Sequence, residues 1–203
     1  MGPSLTVRRA GAEDRDAVVE AFVVASVDEV VTAWVLEGYS VEQFQTSYAP
    51  LVIDAALTDD EVWIAESGTT VLAVSIWQTA TSAARFETEA AEARQRAQAA
   101  PEVRPLQRAA YAMTLVAKEH PRKFPHRYLQ MIVTRPEYRG VGAGAAILAD
   151  RLKAAAAAGM PAFLEASTER SARLYGRHGF VRDGATYTLP EGGPTLIPMW
   201  FRG

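Results

Sequence analysis

Met131-Ile132-Val133-Thr134-Arg135-Pro136-Glu137-Tyr138-Arg139-Gly140-Val141-Gly142-Ala143-Gly144 passes from an apolar strand through a glycine-rich turn into an alanine-rich helix. Three glycines at alternate positions put a row of backbone N–H groups at a helix N-terminus, an arrangement suited to a phosphate or pyrophosphate. Arg139 adds a positive charge to the same turn. Pro136 ends the strand ladder before the loop begins.

Two other phosphate loops compete for this pattern. Gly140-x-Gly142-x-x-Ala145, with Glu165 further on, also satisfies the dinucleotide-binding spacing. In that fold the first glycine follows its strand almost at once, whereas here Arg135 to Arg139 intervene, and only about sixty residues follow the loop. A P-loop requires Lys-Ser or Lys-Thr after the glycines, and Ala145-Ala146-Ile147 stands there instead. A glycine turn that merely packs a helix on a strand is the structural alternative.

The spacing Arg139-x-x-Gly142-x-Gly144 after Pro136 resembles the acetyl-CoA loop of the GCN5-related N-acetyltransferases. Thr168-Glu169-Arg170-Ser171-Ala172-Arg173-Leu174-Tyr175, continuing to Gly179-Phe180, is similar to that family's closing helix, with Thr168 where the family often has asparagine. Within the family, Pro161 to Ser167 and Leu189-Pro190-Glu191-Gly192 resemble the branch that acetylates puromycin, an aminoacyl-nucleoside antibiotic. The resemblance implies an α+β fold, a mixed α/β sandwich whose splayed central sheet is flanked by helices, and acetyl-CoA as cosubstrate. Its pyrophosphate would lie over Arg139, Gly140, Val141, Gly142, Ala143 and Gly144. Its pantetheine arm would pair with main-chain groups of Ile132, Val133 and Thr134, and Thr168 would stand at the missing asparagine. The resemblance assigns Tyr175 as the acid that protonates the leaving thiolate. An N-acetyltransferase of an aminoacyl-nucleoside amine, conferring antibiotic resistance, is the function so implied. Acetylation of a peptide or protein N-terminus and a non-catalytic acyl-CoA sensor are the alternatives.

The residues themselves constrain the chemistry. The chain has 203 residues, a net charge of −3 and no cysteine. No thiolate nucleophile, thiolate-held zinc or disulfide is possible, and the charge gives nucleic acid no footing. Direct attack by the amine on the thioester is expected, without a metal. Glu165, on a short strand beside the cofactor strand, and His126 are candidate bases; His120, His126 and His178 also read as solvated loop or helix-end residues. Trp34, Tyr39 and Trp77, with Phe44 and Tyr48, would line a small-molecule amine pocket, and Asp28 and Glu29 would attract its ammonium.

Composition fits one domain spanning residues 1–203. No apolar run is long enough for a membrane span, and no secretion signal is read at the N-terminus, so a cytoplasmic monomer or homodimer is expected. The pattern predicts strands at 5–9, 61–66, 70–78, 127–134 and 163–166. Helices are predicted over 13–30, 41–57 (broken near Pro50), 81–100 (solvated), 105–119, 144–158 and 169–177. A final hairpin is expected from strands 181–188 and 195–201.

Overall fold

The computed structural model describes residues 4–203. Strands β1 (Thr6–Arg9), β2 (Glu61–Ser67), β3 (Thr70–Ala80), β4 (His126–Thr134), β5 (Ala162–Ala166), β6 (Val181–Arg182), β7 (Tyr187–Thr188) and β8 (Thr195–Phe201) form one sheet in the order β1-β2-β3-β4-β5-β8-β6, with β7 also on β8. Every pairing is antiparallel except β4 with β5, which is parallel. This is the mixed α/β sandwich expected. The tight β2–β3 turn follows from Gly68, which takes φ +60°.

Helices α1 (Arg15–Ser26), α2 (Val30–Val35), α3 (Val41–Gln43), α4 (Ala49–Asp59), α5 (Ala84–Ala99) and α6 (Arg104–Glu119) precede β4; α7 (Ala143–Ala157) and α8 (Glu169–Arg177) follow it. Two sheet faces result. Leu164 and Ala166 of β5 pack with Leu148 and Leu152 of α7 and Ala172 of α8. Phe163 of β5 packs instead with Phe86 and Ala90 of α5 and Ala117 of α6. Alternation along the strand therefore sends Glu165 to the α5–α6 face.

Several expectations are corrected. The helix predicted over 13–30 stops at Ser26, because the Glu29 carboxylate accepts the Val31 and Thr32 N–H groups at 3.0 and 2.8 Å and starts α2. The irregularity expected at Pro50 lies upstream, in a π-helical turn over Phe44–Tyr48, while Pro50 occupies the first turn of α4, where its missing N–H leaves no bond unmade. Helix α5 is not solvated all round: Phe86, Ala90, Ala93 and Ala97 are buried, the last two forming a small-residue seam with Ala110 of α6.

The strand expected over 181–188 is split into β6 and β7. Its partner β8 carries Pro198, whose carbonyl accepts the Asp183 N–H at 3.2 Å. A strand residue's N–H points the same way as its C=O, so Pro198 lacks a donor just where this strand would pair. The chain leaves the ladder there, with Gly184 at φ +120° folding against the proline ring.

Candidate active site

Strand β4 pairs with β3 along its length but meets β5 only at Arg127–Ala162 and Tyr128–Phe163. Beyond Tyr128 the two parallel strands part. A bulge on β4 at the same place leaves Gln130 without a partner, since Trp77 faces Leu129 and Ile76 faces Met131. The Arg135 N–H donates to the Leu72 carbonyl at 2.9 Å. Alternation then turns the main chain of Val133 toward β3 and that of Ile132 and Thr134 into the opened gap. Of the three residues expected to offer main-chain groups, two face the gap and Val133 does not.

The glycine loop adjoins this gap. Gly140 and Gly142 take φ +87° and +91°, and Gly142 is the N-cap of α7. No side chain caps that helix, so the first N–H groups of Ala143 and Gly144 and the positive end of the macrodipole face outward. A Cβ at Gly144 would lie 3.1 Å from Thr134 Oγ1, so glycine here sets how closely α7 approaches β4. Arg139 is not free: its Nη1 and Nη2 each donate to the Asp28 carboxylate at 2.6 Å, and its Nε to the Thr134 carbonyl at 3.3 Å. Asp28, expected to attract a substrate ammonium, is thus engaged with the arginine expected to bind phosphate. The arginine holds the Asp28 carboxyl below its usual pKa.

Helix α8 is framed at both ends. Thr168 Oγ1 accepts the Ser171 N–H at 3.0 Å, and Ser171 Oγ accepts the Thr168 N–H at 3.1 Å. The Thr168 hydroxyl thereby serves the helix start. At the other end Gly179, at φ +87°, lets the Phe180 N–H return to the Tyr175 carbonyl at 3.1 Å. This closure brings the Phe180 ring edge-on to Tyr175 at 6.0 Å. Tyr175 packs with Trp77 and Leu129 in the cluster beside the gap. Burial raises its phenol pKa, and the Glu29 charge adds to the rise. A phenol so perturbed keeps its proton throughout the neutral range and acts only as a donor.

Glu165 occupies the opposite sheet face. Tyr187 on β7 reaches across β8 and donates its hydroxyl to Glu165 Oε1 at 2.9 Å. Burial pushes the Glu165 carboxyl up to about 7, against the opposing pull of Tyr187 and then Tyr128. A carboxyl poised there can take a proton from an amine near neutral pH.

The other candidates fall elsewhere. His120 and His126, expected at the surface, are 2 % and 0 % exposed. Their Nε2 atoms are 3.0 Å apart, and His126 Nδ1 lies 2.8 Å from the Lys123 carbonyl. His126 therefore carries its proton on Nδ1, and His120 donates through Nε2, which leaves His120 Nδ1 buried without a partner. Among Phe86, Tyr128, Phe163 and Trp200 they are core residues, so His126 has no path to an amine. Trp77 is 1 % exposed and donates its indole N–H to Ser75 at 3.1 Å. Trp34 is buried against Leu189 on the other sheet face, and Tyr39 is half-buried after α2, so the structure does not gather these three around one cavity.

Two residues were missed by the sequence reading. Tyr187 carried no signal, standing in a short exposed segment. Arg108 is 3 % exposed and ties α6 to the Trp34 carbonyl at 2.5 Å, to Glu37 at 2.6 Å and to Glu191 at 3.3 Å. Among the described residues no cluster of three or more histidine, aspartate or glutamate side chains could hold a metal, and no helix is long and apolar enough to cross a membrane.

Comparison with known proteins adds a family. The sequence model described as the acetyltransferase (GNAT) family matches residues 29–180. Among solved structures, a histone acetyltransferase and related acetyltransferase from Corynebacterium glutamicum is 24 % identical, with 98 % of this chain and 96 % of that one covered and a TM-score of 0.62. The polyamine N-acetyltransferase of Drosophila melanogaster, an enzyme that forms N-acetylagmatine, is 14 % identical over 98 % of this chain and 100 % of that one, with a TM-score of 0.72. A PaiA N-acetyltransferase from Thermoplasma acidophilum, solved with coenzyme A, is 12 % identical over 98 % and 99 % of the two chains, with a TM-score of 0.56.

Proposed function

The chain belongs to the acetyltransferase (GNAT) family, and on that premise we propose that it moves an acetyl group from acetyl-CoA to the amine of a small molecule by direct attack. The observation that carries this reading is the parting of β4 and β5 after Tyr128–Phe163, beside the uncapped N-terminus of α7. The pyrophosphate is received by the N–H groups from Gly140 to Gly144 with Arg139, once that arginine shares or leaves Asp28. The thioester arm lies along the open edge of β4, against Ile132 and Thr134, like an added strand.

The amine enters from the α5–α6 face, where Glu165 stands. Its nitrogen forms a bond to the thioester carbon as the carbon–sulfur bond breaks. Glu165 accepts the proton lost by the amine, and Tyr175 gives one to the departing thiolate. A phenol of raised pKa suits the second task, since it is fully protonated when the thiolate forms. For the acceptor, an aminoacyl-nucleoside such as puromycin is proposed from the resemblance of Pro161–Ser167 and of Leu189–Gly192 to that branch.

The test is thiol release from acetyl-CoA with puromycin, spermidine, agmatine and a short peptide as acceptors, for the wild type, Tyr175→Phe and Glu165→Gln. Turnover with puromycin that falls by about 10²–10⁴-fold in each variant, with coenzyme A binding unchanged, supports the roles. Equal turnover in Tyr175→Phe refutes the acid. Turnover confined to another acceptor refutes the aminoacyl-nucleoside assignment, and binding without turnover of any acceptor favours a sensor.

A further inference from the structure

We propose that Tyr187, on the last hairpin, is a positioning residue that reaches across β8 and holds the Glu165 carboxylate by a hydrogen bond. This rests on the reading of Glu165 as the base. The geometry is specific. Strand β7 is held to β8 by only two register pairs, Tyr187–Leu196 and Thr188–Thr195. Its tyrosine passes over β8 to β5, where Glu165 is paired with Pro198. The Tyr187 hydroxyl then donates to Oε1 at 2.9 Å.

A donor to the ionised form stabilises the ionised form. Around the carboxyl, burial works in the opposite direction, and the hydrogen bond from Tyr187 offsets it more than that from Tyr128 on β4. The other charges nearby are Glu89 of α5, felt at Tyr128, and Glu119 of α6, felt at Tyr187. Both are negative and neither supplies a proton donor to Glu165. Tyr187 is therefore the principal donor to this carboxyl, at 2.9 Å, with Tyr128 of β4 the weaker second. The excursion at 183–186 that Pro198 and Gly184 impose separates β7 from β6.

The experiment compares pH profiles of kcat/KM for wild type, Tyr187→Phe and Glu165→Gln, with a carbon-13 carboxyl titration of glutamate-labelled protein read beside them. Phe keeps the ring and removes only the donor. The expected result is an ascending limb near pH 7 in the wild type that moves up by about one unit in Tyr187→Phe. At pH 7 the ionised fraction of Glu165 then falls from about one half to about one tenth, a loss of about fivefold that raising the pH to 9 restores. The carboxyl resonance that Glu165→Gln deletes titrates higher by the same amount. A uniform loss at every pH, or an unmoved carboxyl titration, overturns the proposal, because a structural prop alone would do that. A moved titration with an unmoved rate profile sinks the base role of Glu165 while leaving the Tyr187 contact intact, so the two failures are told apart. Thermal melts of each variant with coenzyme A show whether a loss is one of folding.

Discussion

Replacing Asp28 with asparagine should tighten coenzyme A binding. In the structure Arg139 spends Nη1 and Nη2 on the Asp28 carboxylate and Nε on the Thr134 carbonyl, so a phosphate must share those donors or displace the carboxylate. Both partners are about half exposed, 43 % and 56 %, so solvent screens the pair and its strength is at most about 1 kcal/mol. Asparagine keeps the shape and removes the charge. The gain in affinity is then about two- to fivefold, from a release of about 0.5–1 kcal/mol. Isothermal titration of coenzyme A would read it at low and high salt, and the gap between wild type and Asp28→Asn should narrow as salt rises. A double-mutant cycle with Arg139→Gln separates competition from simple removal of a negative charge. If Asp28→Asn tightens binding equally without the arginine, no competition exists. If it weakens binding, Asp28 aims Arg139 at the phosphate, and the reasoning fails.

Three further outcomes are expected. Gly142→Ala meets no neighbour but forces a side chain to φ +91°; the strain of ~1–2 kcal/mol should lower Tm by about 2–8 °C, measured by differential scanning calorimetry, and weaken coenzyme A binding as well. Arg108→Met should cost about 2–3 kcal/mol in urea unfolding, since it leaves the Trp34 carbonyl without its donor, and should raise KM for the amine while Kd for coenzyme A stays the same. The buried histidines make the fold acid-sensitive: burial lowers both, His120 to about 3. The unfolded chain takes up these protons first, so stability is whole above about pH 6.5 and falls as pH drops below it, by about 3 kcal/mol for His120 at pH 4, with His126 acting in the same direction. Urea titrations at pH 7.5, 6 and 5 read the slope, and an equal slope in His120→Leu would refute the assignment.

The proposed cofactor end has a fold legible in the sequence because its structure is local in the chain. Pro136, Gly140, Gly142 and the alanine run encode strand, turn and helix within fourteen residues, Met131 to Gly144, and Thr168 with Ser171 marks the start of α8 where it was expected. The α5–α6 face was not legible. Glu165 meets Tyr187 across 22 residues of chain and Arg108 meets Trp34 across 74, contacts that no periodicity encodes. The histidines misled because a polar ring reads as exposed; their mutual hydrogen bond is what permits burial. The split of the last strand was written in Pro198, and Ala90, Ala93 and Ala97 recur at helical spacing along the buried face of α5. Both signals were available to a reading of the sequence that asked where each missing donor and each small face would go.

That division has a functional consequence. Strands β3 and β4 are antiparallel neighbours that a two-residue turn could join, yet residues 81–125 intervene and build α5 and α6 over the sheet face that carries Glu165. Arg108 of that insertion bridges to Glu37 after α2 and to Glu191 in the β7–β8 turn, which takes φ +53°. The same turn presses Gly193 against Trp34 so closely that a Cβ there would lie 2.7 Å from Leu189 and 2.9 Å from the indole. Helix α2, the inserted hairpin and the final hairpin are thus one mechanical unit, and Tyr187 belongs to it. On the proposed reading, choice of amine and ionisation of the base are coupled through this unit, whereas acetyl-CoA is held by the local β4–α7 element. Gly193→Ala tests the coupling without touching either reactant: it should shift the amine KM and the pH limb together and leave coenzyme A affinity unchanged. A change confined to coenzyme A affinity would show that the unit does not act as one.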